Sequence, residues 1–410
     1  MVLTPARLVR LCSCSVLALL SVPAGAQELD RATPLLEAPK EYQARPIQIG
    51  PVSAFVGGDV RLEYDSNIYA LPSDKIDDMR ATLAPRVNLA LESDRFELAA
   101  EGSAVIRRYF DNKTENSEAG KAELAGVYRF SETDSINAAI EWQRLVEQRG
   151  EPESQTDPAT SPRRYDRLRG ELAYNHIGSR ITIGLKGTAL RNNALARIDE
   201  ERDFDQYSGQ ARIGYRVSGI MSAFGEGFIV VRDFDLPFDT SGIDRDSRTY
   251  GARVGLAFEP GGLLSGEAAV GVFRFKPDDP AQDSRTGLSV SAALVYAPTP
   301  RLAITLDGFR GDVATVRTGA RSRTDTRLRL GVQSEVRHNL RLQGSLLYRR
   351  SNFVGTGQHE RTLAGIVELE YLLSRHIALA LMARIADRSS TRPADEFDRA
   401  IFGAEIRFQF

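Results

Sequence analysis

The alternation of apolar and polar positions is cleanest at the end of the chain. From Ala400 the even positions read Ala400, Phe402, Ala404, Ile406, Phe408 and Phe410, while the odd ones from Arg399 read Arg399, Ile401, Gly403, Glu405, Arg407 and Gln409. A period of two predicts a β-strand with one apolar and one polar face. The apolar row runs to the last residue, although chain ends in water usually fray. A bilayer accounts for this: Phe408 and Phe410 sit at the interface and the polar row faces a watery lumen.

The same alternation recurs in segments of about 14 residues: 53-65, 79-92, 94-109, 117-130, 133-147, 163-176, 179-192, 203-217, 220-233, 246-259, 262-275, 284-297, 300-313, 324-337, 339-352, 360-374, 376-388 and 397-410. Leu328, Leu330, Val332 and Val336 oppose Arg327, Arg329, Gln333, Glu335 and Arg337. Every second connection is turn-like, as at Ser93-Asp94, Gly178-Ser179 and His338-Asn339, and the others are longer and rich in Asp, Pro, Gly and Ser. Short turns on one rim and long loops on the other are how an outer-membrane barrel is built, the turns being periplasmic. The expected fold is therefore all-β: an antiparallel transmembrane β-barrel of about 18 strands over 52-410. Soluble strands average about five or six residues, so segments this long disfavour a sandwich or propeller. The closing strand that ends on Phe resembles the terminal strand of bacterial outer-membrane barrels.

Strands descending to the short turns finish on aromatics: Tyr128 with Phe130, Tyr174, Tyr215, Phe258, Tyr296, Tyr371, and Phe408 with Phe410. These predict a girdle at one membrane interface.

The start of the chain bears on compartment. Arg7 and Arg10 precede an apolar run, Leu11 to Val22, and then Pro23-Ala24-Gly25-Ala26. This reads as a secretory signal peptide over 1-26. The run is too short for a membrane-spanning helix, which needs about 20 residues. Both cysteines, Cys12 and Cys14, lie inside it, so the mature chain holds no disulfide or thiolate metal site. Residues 27-51, with Pro34, Pro39, Pro46 and Pro51, are expected to be an extended periplasmic lead-in.

Charge changes the picture of the interior. The net charge of -2 gives no support for nucleic-acid binding. The long connections are mostly acidic, with Asp74, Asp77 and Asp78; Glu151, Glu153 and Asp157; Asp199, Glu200, Glu201 and Asp203; and Asp235, Asp239, Asp244 and Asp246. One loop is basic, with Arg317, Arg321 and Arg323. The strands must then carry a positive excess. A charge on the lipid face costs about 2–4 kcal/mol near the midplane, so the strand arginines are expected to point inward. The candidates are Arg86, Arg107, Arg169, Arg212, Arg253, Arg327, Arg329, Arg349, Arg384 and Arg407. They predict either a cationic lumen that handles anions or a wall network paired with Glu101, Glu141, Glu171, Glu226, Glu267, Glu335, Glu368 and Glu405. The two are compatible. Inward aromatics are few, namely Phe224, Phe228, Phe273 and Phe309.

Chemistry is not expected. His176, His338 and His376 fall at short turns, and His359, near Ser351 and Asn352, has no nucleophile-elbow sequence beside it. Asp65-Ser66-Asn67 and Asp74 to Asp78 offer oxygen ligands for calcium, but a solvated acidic loop is the simpler reading. No catalytic, cofactor or metal residue is assigned, and no cofactor. The longest connection, Gln148 to Pro162, matches by position the loop that enters the lumen of general porins, but has no helix pattern or hydrophobic anchor; inside and outside both stay open.

Just past the first strand come Tyr64, Asp65, Ser66, Asn67, Ile68 and Tyr69, then Asp77-Asp78, and Pro85 early in the second strand. A strand ending Tyr-Asp-x-Asn-Ile, an acidic loop and a second strand with an early Pro resemble the putative beta-barrel porin 2 family. The resemblance implies a Gram-negative outer-membrane protein, set among membrane lipids by the barrel-assembly machinery. It also implies export or assembly of surface exopolysaccharide, with periplasmic export proteins and an acidic polysaccharide as partners. An anion-preferring or general diffusion porin, and a structural or adhesion barrel, share the same scaffold.

Overall fold

The computed structural model describes Leu36 and residues 38–410. The expected signal peptide and the start of the lead-in lie outside those residues. The chain forms a short strand β1 (Ile47–Ile49), then β2 (Val52–Asp65), β3 (Asp78–Glu92), β4 (Phe96–Tyr109), β5 (Ser117–Arg129) and β6 (Asp134–Val146). Next come β7 (Arg164–Ile177), β8 (Ile181–Ala194), β9 (Phe204–Arg216), β10 (Met221–Phe234), β11 (Ser247–Phe258) and β12 (Leu264–Pro277). The last are β13 (Arg285–Thr299), β14 (Leu302–Val313), β15 (Ser322–Arg337), β16 (Leu340–Val354), β17 (His359–Leu372), β18 (Ile377–Ser390) and β19 (Phe397–Gln409). Each of β2 to β19 pairs antiparallel with its neighbours, and β19 pairs with β2, so 18 strands close a barrel.

The seam runs from Ile401 opposite Asp65 to Gln409 opposite Gly57. Phe410 extends it: its N–H donates to the Val56 carbonyl at 2.7 Å, and the Val56 N–H returns a bond of 3.1 Å. Pro85, which has no N–H to give, lies opposite Gly58 where the β3–β4 ladder skips Ala84 and Pro85.

Alternation decides which side of the wall each residue faces. On β19 Phe402 and Ile406 are exposed while Ile401, Glu405 and Arg407 are buried. The outer row elsewhere is apolar and exposed, as with Leu172, Val254, Leu330, Val367 and Leu381. Charges also reach one another across the interior: Arg212 on β9 bonds Glu267 on β12 at 2.7 Å, three strands away. The aromatics above the short turns are on the outer row. Tyr128 stacks on Phe130 at 6.5 Å and Phe130 on Tyr174 at 6.3 Å, while Tyr215, Tyr296, Tyr371 and Phe410 are exposed. Phe258 and Phe408 are half-buried beside them.

The lead-in is not simply extended. Lys40–Tyr42 form a 3-10 turn, and β1 pairs with the start of β2. The segment also lies against the short-turn mouth. Arg341 donates to the Leu36 carbonyl at 3.5 Å, Glu41 meets His338, and Gln409 donates to the Tyr42 carbonyl at 3.0 Å. Ala44 is buried with the inward Phe55, Ala90 and Ala99.

The two faces make a testable difference. Phe402→Arg puts a charge at mid-strand on the lipid side, costing about 2–4 kcal/mol, whereas Asn88→Arg adds one to the inner row opposite Glu101. The folded fraction on unheated gels is expected to fall sharply for Phe402→Arg and little for Asn88→Arg; equal tolerance would mean the faces are exchanged.

Candidate functional site: the charged interior and its inserted loop

All ten candidate arginines lie on the inner row, and most meet a carboxylate. Arg86 bonds Asp59 at 3.2 Å, Arg169 bonds Glu171 at 2.7 Å, and Arg253 bonds Glu226 at 2.6 Å. Arg212 bridges Glu226 and Glu267, both at 2.7 Å. Arg407 bonds Glu368 at 2.8 Å and also holds Glu370 and Glu405. Arg349 bonds Asp325 at 2.7 Å, Arg329 lies opposite Asp307, and Arg327 covers the Phe309 ring at 4.7 Å. Arg107 and Arg384 line a cavity described below. Of the expected acidic partners, Glu101 and Glu141 meet Lys121 instead, at 3.3 and 3.6 Å, and Glu335 meets the rim residue Arg301 at 3.5 Å.

The inner face is more aromatic than the sequence alternation suggested. Phe224, Phe228, Phe273 and Phe309 are inward, and Phe55, Phe204, Phe234, Phe275, Phe353 and Phe397 are buried with them. Several carry a guanidinium over the ring: Arg212 on Phe224 at 3.9 Å, Arg253 on Phe228 at 4.8 Å, Arg285 on Phe273 at 5.5 Å and Arg317 on Phe353 at 3.9 Å. Such contacts are worth about 2 kcal/mol when desolvated.

The Gln148–Pro162 connection enters the barrel. Arg149 is buried against Glu115 at 2.7 Å, lies over the Tyr69 ring at 5.3 Å, and gives its Nη1 to the Gln155 carbonyl at 2.7 Å. Glu151 reaches Arg349 on β16 at 3.3 Å, and Glu153 reaches Arg323 on β15 at 3.1 Å. Arg388 on β18 donates to the Gly150 and Glu151 carbonyls, and Arg399 on β19 donates to the Arg149 carbonyl at 2.9 Å. The loop thus crosses from β6 to the opposite wall, anchored by charge rather than by apolar side chains. Gly150 makes this possible. Its φ of +88° suits glycine, and a Cβ there would lie 3.0 Å from the Phe397 ring.

A second element fills the same end. By alternation Asp312, Ser322 and Thr324 belong to the outer row, yet all are buried. Asp312 bonds the inward Arg232 of β10 at 2.6 Å and accepts from Thr249 of β11 at 3.1 Å, while Arg285 donates to Thr324 at 2.7 Å. The upper ends of β14 and β15 therefore lean into the barrel with both faces covered. The basic loop above them gathers acidic groups: Arg317 bonds Asp395 of the last long connection at 2.9 Å and Glu360 at the start of β17 at 2.5 Å.

The Tyr64–Ile68 motif is part of the seam. Tyr64 faces outward, while Asp65, Asn67 and Ile68 are fully buried. Asp65 holds Arg399 of β19 and lies 3.7 Å from Arg80. Asn67 donates to the carbonyls of Leu71 at 2.8 Å and Asp398 at 3.0 Å, and accepts from the Leu71 N–H at 2.9 Å. The Asp65 and Asn67 oxygens are thus engaged by protein donors. Among the described residues no group of three or more His, Cys, Asp or Glu is placed to hold a metal ion.

Beneath the loop lies a cavity of about 40 Å³ lined by Arg61, Glu63, Arg80, Arg107, Gln148, Arg149, Glu151, Arg384, Ala386, Phe397, Arg399 and Ile401. Arg80 is bidentate to Glu63, at 2.9 and 3.2 Å. Arg61, Glu63, Arg80 and Arg399 share the alternation of the residues that sequence singled out. Arg149 and Glu151 sit in a loop with no periodicity to orient them.

The sequence profile of the putative beta-barrel porin 2 family matches residues 41–410. The chain belongs to that family. It is an outer-membrane, porin-like β-barrel. No curated protein matches the chain. Among solved structures it is similar to the copper transporter OprC, with a TM-score of 0.47 and 12% identity over 89% of this chain and 81% of that one. The FrpB iron transporter from Neisseria meningitidis gives 0.45 and 9% over 87% and 81%. OpdL from Pseudomonas aeruginosa gives 0.43 and 13% over 88% and 99%.

Two outcomes are expected. Gly150→Ala should strain the left-handed turn and push the loop from Phe397, so that trypsin cleaves after Arg149 in folded barrel where the parent resists; unchanged resistance would mean that the loop does not depend on that fit. The second concerns Asp239, which bonds Arg245 at 2.7 Å and accepts from the Gly319 N–H at 3.3 Å. Burial alone would raise its pKa, but the Ile243 N–H, the Ser241 hydroxyl, the Gly319 N–H and Arg245 outweigh that and lower it. A depressed carboxylate stabilises the fold above its ordinary pKa near 3.9 and loses that contribution as pH falls through the folded value. Protection of the Gly319 amide from hydrogen exchange should therefore hold through mild acid and fail only below the usual Asp range; loss at higher pH would contradict this.

Proposed function

We propose that the barrel is a pore for anionic solutes, carboxylate-bearing sugars among them, narrowed on its long-loop side by the inserted segment. The observation that carries this is the seating of the loop's own carboxylates, Glu151 and Glu153, on inward Arg349 and Arg323. Guanidinium groups on a rigid wall bind carboxylates through paired, charge-assisted hydrogen bonds. A wall that holds the chain's own carboxylates this way offers the same partners to those of a solute. The six arginines around the cavity extend that character toward β2, β3, β4, β18 and β19.

A second reading, export of an acidic polysaccharide, is supported by the Arg–Phe pairs. Arg212 with Phe224, Arg253 with Phe228, Arg285 with Phe273 and Arg327 with Phe309 lie on strands β9 to β15. They form a repeated set of partners suited to a polymer more than to a single small ion. On this reading periplasmic export proteins would deliver the polymer at the short-turn mouth, which the lead-in crosses.

In planar bilayers under a salt gradient, the reconstituted barrel is expected to favour anions, and the double variant Glu151→Gln, Glu153→Gln to conduct more by releasing the loop. A cation preference would sink the anion reading. Clean gene deletion separates the two readings: loss of extracellular polymer with other outer-membrane proteins intact supports export, and slower uptake of small anions with unchanged polymer supports the diffusion pore.

A further inference from the structure

Not every strand arginine faces the lumen. Arg350 continues the outer row of β16 above the exposed Leu342 and Leu346, and Arg361 stands above the exposed Leu363 and Val367 on β17. The two arginines are exposed and directly opposite each other across the strand pair. Arg310 on β14 has the same outer parity, and Thr326 of β15 stands between it and Arg350 in one register line. Arg310 donates to the Thr326 hydroxyl at 2.6 Å. Arg274 and Lys276 are likewise exposed on the outer row of β12. Among the described residues none of these five cations pairs with a carboxylate. Asp387, on the outer row of β18 opposite Leu363, pairs with none of them. Elsewhere on this rim the outer-row cations are paired. Arg108 meets Glu118 at 2.5 Å, Arg144 meets Asp166 at 2.8 Å, Arg191 meets Asp205 at 3.4 Å and Arg248 meets Asp278 at 3.3 Å. Like charges directly opposite destabilise a strand pair, so Arg350 and Arg361 call for an anion from outside the chain.

Their height says what lies beside them. Arg361 is ten residues along β17 from the girdle residue Tyr371. At about 3.3 Å per residue and a tilt of about 40°, that is about 25 Å along the barrel axis, the height of the apolar band. The cations therefore stand at the far interface, on the long-loop side, level with the lipid headgroups of the outer leaflet. Arg274 and Thr286 also line an apolar groove of about 960 Å³ on the outer face, with Tyr250 and Val272 beside them and Gly187, Gly209 and Gly227 farther along. We propose that the outer face from β12 to β17 is a docking site for a phosphorylated glycolipid of the outer leaflet. Its phosphoryl oxygens are held by Arg310, Arg350 and Arg361 and by Arg274 and Lys276, and an acyl chain follows the groove. Guanidinium groups bind phosphate through paired, charge-assisted hydrogen bonds. Arg310, tied to Thr326, supplies a fixed donor, while Arg350 and Arg361 supply exposed ones. A lipid is favoured over free phosphate because the cations continue the membrane-facing row, directly above hydrocarbon.

The test uses the folded full-length barrel in detergent with EDTA, titrated with bis-phosphorylated lipid A and followed by native mass spectrometry. Saturable binding is expected, with lipid A stripped of its phosphates binding about tenfold more weakly. The double variant Arg350→Gln, Arg361→Gln should weaken binding of the phosphorylated form about tenfold or more, since charged hydrogen bonds are lost. Arg361→Gln alone provides the same reading, at smaller size, if unheated gels show that the double variant does not fold. Arg108→Gln, on the paired part of the rim, should bind lipid A as the parent does. Equal binding of the two lipids overturns the proposal, as does a folded Gln variant that binds like the parent. Displacement of lipid A by equimolar sodium phosphate would make this a site for free phosphate and overturn it as well. A lipid-free parent that self-associates, and that Arg361→Gln turns into a monomer, would overturn it by assigning the cations to a second copy of the chain.

Discussion

Everything in this barrel follows from the exclusion of charge from hydrocarbon. A strand that crosses a bilayer exposes every second side chain to lipid, where an ionised group is destabilising, so the chain's ionic groups are placed inward. Once there they are partly desolvated, and each needs a counter-charge with good geometry. The inner wall answers with shared pairs: Arg212 between Glu226 and Glu267, and Arg407 among Glu368, Glu370 and Glu405. Arginine suits this better than lysine because its planar fork can serve two carboxylates at once, and only six of the 53 basic residues are lysine.

The same demand explains why the interior is filled at the long-loop end. Acidic connections and inward arginines are complementary, and the loop that carries Arg149, Glu151 and Glu153 satisfies both signs in one crossing. Its carboxylates meet Arg349 and Arg323, and its arginine meets Glu115. The leaning ends of β14 and β15 complete the arrangement through Asp312 and Arg232. No apolar anchor is required.

The strands and their faces were legible in the sequence because a period of two leaves no freedom once one face must be apolar. Segment 117-130 became Ser117–Arg129 and segment 397-410 became Phe397–Gln409. The inward direction of Arg86 or Arg253 followed from the same parity. What parity does not encode is contact between residues far apart in sequence. Nothing local in Gln148–Pro162 points to Arg349 or Arg388, so the sequence alone does not place the segment inside or outside the barrel. The inward Phe353 and Phe397 fall at or beyond the ends of the alternating runs and escaped for that reason. Asp312 and Thr324 carry outer-row parity but are buried because the strand ends bend, and bending leaves no trace in a hydrophobic pattern. The acidic loops and the one basic loop were visible as charges, but their pairing was not.

The side chain of Asn67 follows the first barrel strand, and one of its hydrogen bonds goes to the Asp398 carbonyl on the last. Arg399 and Phe397, on that last strand, support the inserted loop together with Ala70. The loop's seat is thus built from both ends of the barrel wall, on either side of the seam. A change that parts the first strand from the last would unseat the loop as well as open the ring.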